Sequence, residues 1–78
     1  MLLYKSNMES FEIKKIQNYL NSKFLTNHYI VKDDNNKSNS VEVYFKEEFI
    51  GLIYKDEDEG ELAYQFHMTI LDEDLLDA

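Results

Sequence analysis

A chain of 78 residues has room for one small domain, because independent domains usually take roughly 100–200 residues. Apolar residues are 44% and charged residues 31%, a globular mix that excludes disorder, and the absence of cysteine excludes disulfides, zinc–thiolate sites and cysteine nucleophiles. The net charge of −8 is uneven, with eight Lys and seven acids in residues 1–55 and nine acids and no base in residues 56–78, so neither nucleic acid nor anionic membrane is an expected partner.

Residues 1–8 show no pattern and read as a loose arm, ahead of a folded core over residues 9–71 and an acidic tail over residues 72–78. From Glu9 to Phe24 the period is helical. Ile13, Ile16, Leu20 and Phe24 fall on one stripe, Tyr19 widens it, and Lys14, Lys15, Gln17, Asn18 and Asn21 fall on the polar side. Ser10 is one candidate N-cap; Ser6 with Glu9 three residues later reads as a capping box one turn earlier. Asn27 is the expected stop, since Asn tolerates the left-handed geometry of a C-cap.

Beyond the helix the period drops to two. His28–Lys32 reads as a short strand, Asp33–Ser40 as a polar loop, Val41–Lys46 as a second strand and Glu47-Glu48 as a tight turn. Phe49–Lys55 follows as a third strand, Asp56–Gly60 as an acidic turn and Glu61–Leu71 as a long fourth strand. In the tail, a turn of helix around Leu75 and Leu76 is an open alternative. The predicted fold is α+β: one N-terminal helix on one face of a four-stranded antiparallel meander, αββββ.

Turn arithmetic assigns the faces. A two-residue loop pairs odd positions of the second strand with even positions of the third. Val41, Val43 and Phe45 then share a face with Ile50, Leu52 and Tyr54, and that face continues into Leu62, Tyr64, Phe66, Met68 and Ile70. The helix is its expected cover. The other face is mixed, and Tyr44, Phe49, Ile53 and His67 are its candidate partner-binding residues.

Several blocks together resemble a known family. They are the helix Glu12-Ile13-Lys14-Lys15-Ile16-Gln17-Asn18-Tyr19-Leu20, then Glu42-Val43-Tyr44 with Glu48-Phe49-Ile50-Gly51. Asp56-Glu57-Asp58-Glu59-Gly60-Glu61 and Tyr64-Gln65-Phe66-His67-Met68 with Ile70-Leu71-Asp72 complete the set. Over roughly residues 9–75 they are similar to small alphaproteobacterial proteins catalogued as domain of unknown function 3126. The family often has Gly where this chain has Lys46, which leaves the turn type open. The resemblance implies a cytoplasmic bacterial protein with no assigned activity, and it supplies no catalytic residues.

The sharper chemical readings fail on spacing. An EF-hand loop counted from Asp56 has Gly60 one place early and His67 at the position that needs Glu. His28 and His67 are the only imidazoles and have no metal-ligand spacing. With two Gly in the chain, neither a nucleophile elbow nor a phosphate-cradling loop can form. No catalytic residue, metal or cofactor is therefore expected. Met1-Leu2-Leu3-Tyr4-Lys5 is too short for a signal-peptide apolar region, and the longest apolar run, Phe49–Tyr54, is far below the ~20 residues of a membrane span. The expected compartment is the cytoplasm. The expected function is a non-enzymatic module that binds another protein, or a second copy of itself, through the open sheet face or edge. The alternative is a small enzyme or ligand-binding subunit whose site is completed at a dimer interface near His67.

Overall fold

The computed structural model describes residues 8–33, 40–58 and 60–77. Helix α1 spans Ser10–Lys23, followed by strands β1 (Tyr29–Asp33), β2 (Ser40–Phe45), β3 (Glu48–Asp58) and β4 (Glu61–Met68), and a 3-10 helix over Asp72–Asp77. The strands form one antiparallel sheet in the order β1-β2-β3-β4, the expected αββββ meander. No described helix is long and apolar enough to cross a membrane.

The helix begins at neither expected serine cap. Glu9 is the N-cap, and Glu12, three residues on, reaches back so that its Oε1 accepts the Glu9 N–H at 2.8 Å. The helix ends before Asn27. Leu25 takes the left-handed conformation, with φ +54°, and the Thr26 N–H returns to the Asn21 carbonyl at 3.0 Å. Of the expected arm, residues 1–7 lie outside the described set. Met8 is buried at 8% exposure and packs with Leu20, Val31, Val41, Val43 and Ile53, so it belongs to the core. The polar loop at residues 34–39 also lies outside the described residues.

The face assignment needs one correction, and its cause is a β-bulge. The first hairpin closes on a two-residue turn at Lys46-Glu47, one residue earlier than expected, and pairs Phe45↔Glu48 and Tyr44↔Phe49. Between Val43 and Tyr44 the register then shifts, giving Val43↔Gly51 and Val41↔Ile53. The extra residue, Ile50, reverses the alternation of β3. Ile53 and Lys55 therefore turn to the helix side, and Leu52 and Tyr54 turn to the open side. The second hairpin reverses parity again, pairing Ile53↔Phe66 and Lys55↔Tyr64. The two reversals cancel, which is why Tyr64, Phe66 and Met68 do share the face of Val41 and Val43.

Strand lengths also differ from expectation. β3 runs on through Asp58, because Asp56↔Ala63, Glu57↔Leu62 and Asp58↔Glu61 stay paired, and Gly60 supplies a positive φ of +79° beyond them. β4 stops at Met68; the Thr69 N–H makes one more bond, to the Ile50 carbonyl at 3.0 Å, before the chain turns into the 3-10 helix.

The helix does not sit over the middle of the sheet. Its tertiary contacts are concentrated on β1. Two residues expected on its polar side hold it there. Gln17 Oε1 accepts the Val31 N–H at 3.0 Å, and Asn21 accepts the Tyr29 N–H at 2.9 Å while donating to the Tyr29 carbonyl at 3.2 Å. Spaced by four, these amides lie on one face of the helix and bond the outer edge of β1. Leu20 is buried and Ile13 and Ile16 are half-buried, whereas Phe24, beyond the helix end, stays 54% exposed beside Tyr29.

Candidate functional site

A helix is about 10 Å wide and strands repeat every ~4.8 Å, so one helix covers about two strands. With α1 drawn towards β1, the helix side of β4 has no cover. Leu62, Phe66 and Met68 are 48%, 36% and 57% exposed there. The helix presents Phe11 and Tyr19, 62% and 59% exposed, towards the same gap. Between Leu62 and Phe66 on the sheet and Phe11 and Tyr19 on the helix runs a largely apolar groove of about 860 Å³, with Ile16, Leu20 and Ile53 also on its lining. That volume falls in the range of about 300–1,000 Å³ typical of ligand sites.

Besides Lys15 and Lys23 on the helix wall, one bonded polar cluster lines the groove. Glu12 Oε2 accepts the Tyr64 hydroxyl at 2.6 Å and pairs with Lys55 Nζ at 2.9 Å, while Oε1 takes the Glu9 N–H. Burial on its own would raise the Glu12 pKa. The hydrogen bonds from Tyr64, the Glu9 N–H and Lys55, with the Lys55 charge, outweigh burial and leave it below its ordinary value. Burial, the bond to Glu12 and the negative charges of Glu12 and Glu57 push the Tyr64 hydroxyl up to about 12. At neutral pH, Glu12 is thus a committed carboxylate and Tyr64 a committed donor. Neither is tuned near pH 7 as a general acid or base would be. The cluster ties α1 to β3 and β4 and leaves the groove surface apolar around it.

The four residues expected to bind a partner divide between the two sides of the sheet. Tyr44 and Phe49 do meet, edge to face at 5.7 Å between centroids, on the open side. The Tyr44 hydroxyl donates to Glu42 at 2.9 Å and Lys32 lies over the ring at 4.8 Å. His67 is on that side too, but it packs on Tyr54 at 5.2 Å and pairs in register with Leu52, away from the Tyr44–Phe49 pair. Ile53 leaves the set: the bulge turns it to the helix side, where it is 2% exposed in the core. Among the described residues, no three His, Asp or Glu side chains are grouped to hold a metal ion.

Periodicity alone does not find the groove residues, although the sequence holds one signal. Glu12 lies four residues before Ile16 and eight before Leu20, so a carboxylate stands in line with the buried stripe. A charge in that position needs a partner on the facing sheet. Simple strand parity hides the partners, because it places Lys55 and Tyr64 on opposite faces.

A family model described as "protein of unknown function (DUF3126)" matches residues 12–74, from the first turn of α1 into the 3-10 helix. No curated protein and no solved structure matches the chain.

Proposed function

We propose that this chain, which belongs to the DUF3126 family of proteins of unknown function, is a non-enzymatic cytoplasmic module that binds another protein. The observation that supports this reading is the half-covered apolar side of the sheet. Wet apolar surface costs about 25 cal/mol per Å², and a bound partner recovers that cost. Aromatic side chains such as Phe11, Tyr19 and Phe66 are the common anchors of such contacts. Glu12, Lys55 and Tyr64 satisfy one another, so they orient the walls and do not supply reactive atoms.

The test is affinity capture from the native cytoplasm with the wild-type chain and with the Phe11→Ser/Tyr19→Ser double variant. Both positions are exposed on α1, so the circular-dichroism spectrum and melting temperature should stay close to wild type. The expected result is a protein retained by the wild type and released by the variant. Identical retained proteins would refute the groove as the contact surface.

A further inference from the structure

Resting on that reading, we infer that β4 is an acceptor edge: the partner adds an extended segment as a fifth strand beside β4, with apolar residues on the groove side and Lys or Arg at its flanks. The two edges of this sheet are treated very differently. The outer edge of β1 is bonded by Gln17 and Asn21 of α1, and β1 itself is five residues long and ends in Lys32 and Asp33. Short, charged or covered edges of this kind resist further pairing. β4 is far less protected, with Glu61 at its start as its one acidic or Lys residue. It is eight residues long, in unbroken register with β3, and its sequence Glu61-Leu62-Ala63-Tyr64-Gln65-Phe66-His67-Met68 contains neither Lys nor Pro. Among the described residues no strand lies beyond it.

The chemistry of the guest follows from what surrounds that edge. Leu62, Tyr64, Phe66 and Met68 alternate on the groove side, so alternate residues of an added strand would lie against them. The opposite side offers Ala63, Gln65 and His67, which suits polar or small residues. At one end of β4 lies the hairpin with Asp56, Glu57 and Glu61; past the other the chain turns into the 3-10 helix, whose Glu73 and Asp74 share a pocket with Tyr29, Phe45 and Met68. With no base anywhere in residues 56–78, the hairpin end most strongly favours a positive flank on the guest. The same charges oppose a second copy. A two-fold pairing of β4 with β4 would carry the acidic tail of each copy past the acidic hairpin of the other, and like charges so placed repel.

The test uses two synthetic peptides with one alternating Val-Thr core, flanked either by Lys-Lys or by Glu-Glu, titrated into the isotope-labelled full chain. The Lys-flanked peptide should shift the amides of residues 61–68 saturably and slow their exchange. The Glu-flanked peptide should bind at least tenfold more weakly, and added salt should narrow the difference. Four results would each overturn the inference: no change at β4 with millimolar Lys peptide, equal binding of both peptides, shifts confined to α1, or β4 amides already protected in a self-dimer. Shifts confined to α1 would leave the interaction-module reading standing with a different mode of docking. Capture of native partners that is indifferent to Phe11 and Tyr19 would instead defeat the groove reading, whatever the peptides do.

Discussion

The turn between β2 and β3 is built from residues that resist its geometry, and relieving it should stabilise the protein. Lys46 and Glu47 have φ of +52° and +70°. Two consecutive positive φ values in a two-residue hairpin loop are the signature of a type I′ turn, for which Asn-Gly is the favoured pair. The left-handed region costs a residue with a Cβ roughly 1–2 kcal/mol. Gly escapes that cost but loses about 0.5–1 kcal/mol through its freer unfolded chain. Glu47→Gly should therefore gain about 0.5–1 kcal/mol and Lys46→Asn about 0.5, since Asn tolerates this region better than Lys. The Lys46 N–H that bonds the His28 carbonyl at 3.2 Å survives both changes. The pair removes one charge of each sign, so the net charge of −8 is unchanged. The Lys46 ammonium stands 5.8 Å from the Phe45 ring, and losing that exposed contact offsets roughly 0.5 kcal/mol. The double variant should gain about 0.5–1 kcal/mol, or about 2–8 °C in melting temperature for a domain of this size. Thermal unfolding followed by circular dichroism measures it. A melting temperature at or below wild type would show that this turn does not hold both residues left-handed.

Two further predictions test the core and the groove cluster. Leu20→Ala removes a side chain that is 5% exposed at the helix–sheet contact, and should cost about 2–5 kcal/mol in urea unfolding; a loss below about 1 kcal/mol would mean that α1 is not packed through Leu20. Glu12→Gln removes the charge that holds Tyr64, so the Tyr64 hydroxyl, which should titrate at about 12 in the wild type by carbon NMR, should move down towards its ordinary value of 10.0. Its folded pKa is raised, so its stabilisation is present below pH 10.0 and fades as pH rises through about 12. The Glu12 pKa is lowered, so its own contribution is present at neutral pH and fades as pH falls through the acid range. A Tyr64 titration unmoved by Glu12→Gln would refute the cluster.

The order and type of elements are legible in the sequence because each rests on a local period. Ile13, Ile16 and Leu20 mark a helix whatever they pack on, and Val41-Glu42-Val43 marks a strand before its neighbour is known. What escapes a local reading is long-range. Ile50 looks like any strand residue, and nothing local shows that it will stand unpaired as a bulge. Gly51 hints at it: a Cβ there would lie 2.9 Å from the Met68 Cα, so β3 and β4 approach too closely for any other residue. One extra residue puts Ile53 in the core and Leu52 outside it, and with Ile53 goes one member of the expected open-face set. Gln17 and Asn21 look solvated in the sequence because polar residues usually are, yet their amides complete the hydrogen bonding of β1. That role depends on where the helix crosses the sheet, which is a tertiary fact.

The position of α1 links these observations. A helix of 14 residues packed across the centre of the sheet would shield both inner strands and leave two thin exposed margins. Here the amides of Gln17 and Asn21 draw it to one edge, and the helix side of β4 at the other is left uncovered. The result is a sheet with one sealed edge and one open edge, and with the apolar groove beside the open one. The Glu12–Lys55–Tyr64 cluster fixes the width of that gap by bonding α1 to β3 and β4, so the groove is held open by structure and does not depend on a guest to form. A preformed surface loses less entropy on binding than one that must be ordered first. Substituting Glu12 should therefore weaken a groove-bound guest even though Glu12 is buried, whereas a guest seated on the Tyr44–Phe49 side would be unaffected.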